Sequence, residues 1–141
     1  KEITEKYAAD GIKAYISVNK ALVTQSSAAI PIVPLYISIL YKVMKEKGVH
    51  EGCIEQMYRL FAEKFGADGK PVSGAVDGEG RIRLDDLEMK PEIQDEVTKL
   101  WNILNADNFK EYTDIEGYWK DFYELFGFGI DGVDYEADVE V

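Results

Sequence analysis

Four positions, His50-Glu51-Gly52-Cys53, set an imidazole, a carboxylate and the chain's one thiol side by side. A metal centre needs more than this, because there is no second histidine at H-E-x-x-H spacing and no partner C-x-x-C. A Cys–His nucleophile pair would need the two side chains to meet, which an i, i+3 separation on one helix permits without making the thiol reactive. The simpler reading is that His50 and Glu51 open a helix, with Glu51 at the positive end of its dipole and Cys53 packed as a small apolar group. Asp131, Asp134, Glu136 and Asp138 lack the order of ligands and glycine that a calcium loop requires, so they read as a solvated charge run. Tyr7, Tyr15, Tyr36, Tyr41 and Tyr58 have no lysine at a recognised spacing and read as core or interface residues. The remaining candidate is Lys20 to Pro31, a small, polar connection between a strand-like and a helical segment. Ligands of α/β sheets bind beyond the carboxyl ends of strands, where small residues let a planar group approach the backbone. A plain connection has the same composition, so both readings stay open at this level.

The elements around these residues follow from periodicity. Ala14, Ile16 and Val18 alternate with Tyr15, Ser17 and Asn19, which predicts a strand over Ile12–Val23. It is the one convincing strand of the sequence, and its backbone groups must find partners elsewhere. Pro34 suits a first helical turn, Leu35, Ile39, Leu40, Val43 and Met44 follow at helical spacing, and Gly48 supplies a stop. Ile54, Met57, Tyr58, Phe61 and Phe65 form a second stripe, expected to pack on the first helix. The glycine-rich 66–83 reads as a surface loop or irregular hairpin. Ile93, Val97, Leu100, Trp101 and Leu104 mark a third helix opened near Pro91, and Thr113-x-x-Glu116 reads as a capping box for a fourth that ends at Gly127. Ile3, Tyr7 and Gly11 look like the last turns of a helix whose start lies before Lys1. The expected organisation is a helix end over 1–10, a strand over 12–23, a loop over 24–33, a helical part over 34–127 and an extended acidic tail over 128–141, mainly α with one strand.

Composition limits the partners. In 141 residues, 16 Lys and Arg face 27 Asp and Glu, a net charge of −11 that repels nucleic-acid phosphates and anionic bilayers. The lone cysteine rules out an internal disulfide and suits a reducing compartment. No apolar run of about 18 residues occurs, because Pro31, Pro34 and Ser38 interrupt the longest one. A soluble, cytoplasmic protein is expected, with no membrane or nucleic-acid partner.

Longer strings are more specific. Val18-Asn19-Lys20-Ala21-Leu22-Val23-Thr24, Ala29-Ile30-Pro31-Ile32-Val33-Pro34-Leu35-Tyr36, His50-Glu51-Gly52-Cys53-Ile54-Glu55-Gln56, Gly80-Arg81-Ile82-Arg83-Leu84-Asp85-Asp86 and Gly127-Phe128-Gly129-Ile130-Asp131-Gly132 together resemble the C-terminal part of trans-2-enoyl-CoA reductases, also called FabV-type enoyl-ACP reductases. The resemblance spans nearly the whole chain. It implies the C-terminal portion of an α/β Rossmann-type, short-chain-dehydrogenase-like fold and an NADH-dependent reduction of an enoyl-CoA or enoyl-ACP thioester. It further implies that Leu22, Val23 and Thr24 contact the nicotinamide end of NADH and that Gln25 to Pro31 border the substrate, with no catalytic or metal residue assigned.

The family's glycine-rich nucleotide loop and its tyrosine–lysine catalytic pair have no counterpart in these residues. The expectation is therefore an incomplete site that is inactive alone and self-associates through its exposed strand. The alternative is a non-catalytic acidic helical interaction module.

Overall fold

The structure, a computed structural model, describes residues 2–138. Its centre is helix α3, Val33–Glu46, which buries Ile37, Ser38, Ile39, Leu40, Tyr41, Val43 and Met44 and is thus enclosed on nearly every side. That is what an all-round apolar helix requires. Pro34 lies in its first turn, where a missing N–H costs nothing. The one buried hydroxyl among these side chains besides Tyr41, Ser38 Oγ, donates back to the Pro34 carbonyl at 2.6 Å.

Besides α3, five helices and two short strands follow the N-terminal helix α1, Glu2–Tyr7, and a 3-10 turn over Ala8–Asp10. They are β1 (Ile16–Val18), α2 (Gln25–Ala29), α4 (Cys53–Glu63), β2 (Arg81–Arg83), α5 (Pro91–Ile103), α6 (Phe109–Tyr112) and α7 (Ile115–Glu124). One side of α3 packs Ile39, Leu40, Val43 and Met44 against Ile93, Val97 and Leu100 of α5. On the other side Ile37 and Tyr41 meet Val23 and Tyr118 of α7. Each fully buried aliphatic side chain there contributes roughly 1.5–3 kcal/mol of transfer free energy. The start of α7 is pinned to α3 as well: Asp114 donates its N–H to the Ser38 carbonyl at 2.9 Å and pairs its carboxylate with Lys45 at 2.6 Å.

The strand differs from expectation. It covers three residues, not 12–23, and it is not alone: β2 lies parallel to it, with Ile16 opposite Arg81 and Val18 opposite Arg83. The partner comes from the glycine-rich stretch that reads as a loop, because Arg-Ile-Arg offers one buried residue, Ile82, too few for a period to show. Val76 also bridges Ile82 in antiparallel fashion, so the irregular hairpin of that stretch is present too.

A second departure concerns α4. Its stripe does not pack on α3: Ile54, Tyr58 and Phe61 are 79%, 73% and 68% exposed, and the face turned inward carries Gln56, Arg59 and Leu60. Polar contacts outcompete periodicity there, since Arg59 and Gln56 each have buried partners that an apolar side chain could not serve. Cys53, expected in the interior, opens α4 and is exposed. His50 and Glu51 precede the helix, and its N-cap is Gly52, whose N–H binds the Glu55 carboxylate at 3.0 Å.

Helix ends follow glycine more faithfully than stripes predict faces. Gly11, Gly48 and Gly127 all have positive φ, and after each the chain closes with paired bonds such as Gly48 N–H to Lys45 O and Val49 N–H to Met44 O. At the α7 start the cap is Asp114, which accepts from Gly117 N–H, and not Thr113, whose hydroxyl turns back to the Phe109 carbonyl. The acidic tail is not simply extended: Tyr135 accepts from Ile130 N–H and donates to the Gly127 carbonyl, both at 2.8 Å, folding 127–135 into turns. Residues 139–141 of that segment lie outside the described residues.

Ile32 has φ 73° and ψ −30°, a backbone region that a β-branched side chain enters only under strain. Because Ile32 is 64% exposed, glycine there would relieve strain while giving up little burial. Ile32→Gly is expected to raise the melting temperature by ~3 °C. Calorimetry checks it, and a lowered midpoint would show that the side chain is needed where it stands.

Candidate functional site

Between β1 and α2 the chain runs through Asn19–Thr24 with no ladder to hold it. Side chains from three elements take over. Lys20 N–H donates to Gln56 Oε1 of α4 at 2.8 Å, Ala21 N–H to Glu88 Oε2 at 2.7 Å, and Val23 N–H to the Tyr41 hydroxyl of α3 at 3.4 Å. The Lys20 ammonium donates to the Ala21 carbonyl at 3.0 Å and lies 4.6 Å from the centre of the Tyr41 ring. Thr24 then caps α2 reciprocally, its Oγ1 accepting from Ser27 N–H at 3.0 Å while Ser27 Oγ accepts from Thr24 N–H at 2.8 Å. The connection expected as a loop over 24–33 thus contains a capped helical turn.

Leu22 and Val23 line a cavity of about 680 Å³ together with Tyr41, His50, Cys53 and Asp121. Thr24, the third predicted cofactor residue, stands at the α2 cap outside that lining. Among the described residues no bond engages the Leu22 N–H or C=O. Sequence reasoning had no signal for Tyr41, Gln56 and Glu88, which lie 18 to 67 positions away from the residues they hold.

Electrostatics at the cavity are one-sided. Burial pushes Lys20 down to about 8, against the pull of Glu88 and Asp121. Burial also holds His50 down to about 4, reinforced by Lys20 and Lys45, so the ring is neutral at pH 7. Its Nδ1 is buried without a partner among the described residues, and its edge meets the Tyr41 ring at 4.4 Å. No thiol–imidazole bond forms, and no cluster of three His, Cys, Asp or Glu suited to a metal occurs among the described residues. Asp121, Glu124 and Glu55 sit on the same wall, which disfavours an anion there. A second, apolar cavity of about 480 Å³ lies against Ala28, Ile30, Ile32, Phe109 and Ile115, beside the predicted substrate loop.

The first strand of a parallel pair thus runs into a polar turn and a capped helical turn beside α3. Residues 1–65 match the family model described as trans-2-enoyl-CoA reductase catalytic region, and residues 76–139 the one described as enoyl reductase FAD binding domain. The chain is 57% identical over 141 residues to a trans-2-enoyl-CoA reductase (NADH) of Ruminiclostridium cellulolyticum, covering 99% of this chain and 34% of that protein. It is 58% identical over 129 residues to an enoyl-acyl-carrier-protein reductase (NADH) of Coxiella burnetii, 92% and 31% of the two chains. A crystal structure of the Clostridium acetobutulicum trans-2-enoyl-CoA reductase in complex with NAD superposes with a TM-score of 0.86 at 50% identity, covering 99% of this chain and 35% of that one. The chain belongs to the trans-2-enoyl-CoA reductase family, and it spans about a third of the length of the relatives it matches. Among the described residues no helix is long and apolar enough to cross a membrane.

Proposed function

We propose that this chain is the C-terminal section of an NADH-dependent enoyl-thioester reductase of Rossmann type, forming one wall of its cofactor and substrate site. The observation that carries this is Leu22 at a cavity edge, with neither its N–H nor its C=O bonded among the described residues, inside a segment where the N–H groups of Lys20, Ala21 and Val23 are engaged. A nicotinamide carboxamide carries one donor and one acceptor group, which matches those two backbone groups. The Thr24 hydroxyl, whose oxygen already accepts from Ser27, keeps its proton to donate.

The carboxylates of Asp121 and Glu124 make the same wall a poor seat for a pyrophosphate, so the phosphates belong on residues outside this chain. Four of the six cations in 76–138 are already committed to carboxylates, Arg81 to Asp77 and Glu79, Arg83 to Asp85, Lys99 to Glu96 and Lys120 to Glu124, which leaves Lys90 and Lys110 for the phosphates of a flavin dinucleotide. When bound, NADH supplies the hydride for the enoyl double bond. The residues here hold the ring in register, keep a neutral imidazole beside it and exclude water with Leu22, Val23 and Tyr41. Charge that builds on the thioester oxygen needs a donor and a cation. The second apolar cavity, beside 28–32, suits the acyl chain of the CoA- or ACP-borne thioester. The edge of β1 away from β2 can take a further strand, either from the rest of the reductase or from a second copy of the chain.

The test is NADH oxidation in the presence of crotonyl-CoA. The full-length protein is expected to turn over and the 141-residue chain alone to show no rate. Activity in the isolated chain would overturn the assignment of the catalytic groups to other residues. The exposed Ile54, Tyr58 and Phe61 favour a second reading, an interaction module without catalysis, for which the full-length protein would be equally silent.

A further inference from the structure

The turn between β1 and α2 is built at a cost that packing alone does not explain. Lys20, Gln56 and Glu88 are 2%, 0% and 6% exposed, and all three converge on one stretch of four residues. A buried lysine loses hydration that apolar residues of similar volume would not need. Its ammonium is met by a carbonyl and an aromatic face, with no carboxylate bonded to it among the described residues. The anchoring side chains are themselves fixed. Gln56 Nε2 donates to the Gly52 carbonyl at 3.3 Å, and the second oxygen of Glu88 accepts from the Tyr36 hydroxyl at 2.6 Å. Gln94 in turn donates to the Glu88 carbonyl at 2.9 Å.

The geometry of a trans peptide converts this into direction. Described residues contain no cis bond, so the Leu22 N–H points opposite to the Ala21 C=O that Lys20 grips. Pulling the carbonyl toward the ammonium turns the Leu22 N–H away from it and polarises the amide into a stronger donor. With the N–H groups of Lys20, Ala21 and Val23 already committed, Leu22 is the one residue of the stretch with both its N–H and its C=O unbonded among the described residues.

We propose that Lys20 is a positioning residue for the cofactor: with Gln56, Glu88 and Tyr41 it clamps residues 20–23 so that Leu22, the one residue there with both backbone groups unbonded, presents its N–H and C=O to the nicotinamide carboxamide. This deepens the reading of the site above and rests on it.

Two measurements on the full-length protein separate the two. The first compares the Kd of NAD⁺ with that of an analogue whose carboxamide is replaced by hydrogen, in the parent and in Lys20→Met. The parent is expected to prefer NAD⁺ by about tenfold, and Lys20→Met to reduce that preference to less than about threefold without weakening the analogue. A parent with no preference would overturn the contact between Leu22 and the carboxamide, and the clamp with it. A parent preference that survives intact in Lys20→Met would overturn the clamp alone. The second measurement needs no substitution and stands if that variant fails to fold. In ¹⁵N-labelled parent protein the Leu22 amide is expected to exchange with solvent faster than those of Lys20, Ala21 and Val23, and to become protected by NAD⁺ but not by the analogue. Slow exchange at Leu22 without ligand would refute the clamp, whereas fast exchange that NAD⁺ leaves unchanged would refute the cofactor contact.

Discussion

Arg59→Met is expected to lower the free energy of unfolding by about 3–5 kcal/mol, the cost of breaking a buried ion pair by removing one partner. The guanidinium, 9% exposed, binds both oxygens of Glu51 at 2.8 and 2.7 Å, both oxygens of Asp86 at 2.8 and 3.0 Å, and the Leu84 carbonyl at 2.7 Å. It therefore ties three pieces of chain that share no regular ladder: the segment before α4, α4 itself and the residues after β2. Burial alone would lower its pKa, but Glu51 and Asp86 outweigh that and raise it. Removing the cation leaves Glu51 poorly solvated and the Leu84 carbonyl without its donor. Lysine is not expected to rescue, because a single ammonium cannot reproduce a planar fork that serves two carboxylates and a carbonyl. Urea unfolding with an unchanged slope is the measurement. A loss below about 1 kcal/mol would mean that the carboxylates stay hydrated without Arg59.

Stability is expected to rise from pH 8 to a maximum near pH 10 and to fall beyond it. Lys20 is displaced by burial from 10.5 to about 8 in the native state, so over that interval the unfolded chain holds a proton that the native chain has released. Where the unfolded state binds more protons, stability grows with pH, here by about 3 kcal/mol in full, of which the larger part is gained by pH 10. Above pH 10 the sign reverses. Burial and the Glu88 bond push Tyr36 up to about 12, and burial with Asp121 carries Tyr41 higher still. The unfolded tyrosines then ionise first, and stability declines. On the acid side His50, held down to about 4 by burial, withdraws stability as pH falls from 6.5 toward 4, because the unfolded ring takes up its proton first. Lys20→Met should remove the rise between pH 8 and 10 while leaving the decline above 10 in place. A profile still rising in that variant would assign the rise to another group.

Legibility followed the range of the interactions. The stop glycines at 11, 48 and 127 were readable because positive φ and closing bonds involve residues five apart at most. Helix α3 was readable because it is apolar on all faces and needs no decision about which one is buried. The stripe on α4 misled for the opposite reason. Met57 and Phe65 of that stripe pack against Leu60, Ile82 and Leu84, but Ile54, Tyr58 and Phe61 stay exposed, while Arg59 and Gln56 satisfy buried partners. The second strand is not legible in the sequence because its ladder depends on pairing Ile82 with Ser17, 65 positions earlier. At the site, Leu22 and Val23 are pointed to by family resemblance alone, whereas the groups that hold the segment are spread over α3, α4 and the turn before α5.

Local chemistry in the chain by itself determined where the glycine-stopped helices end, which helix is central, and that a polar turn follows the first strand, because capping and periodicity act over a few residues. Tertiary structure alone decided that the strand has a parallel partner, that α4 turns Gln56 and Arg59 inward, and that among the described residues Leu22 keeps both backbone groups unbonded between pinned neighbours. Those outcomes depend on which distant donor meets which acceptor, and a buried polar group commits the fold only once its partner has been brought to it.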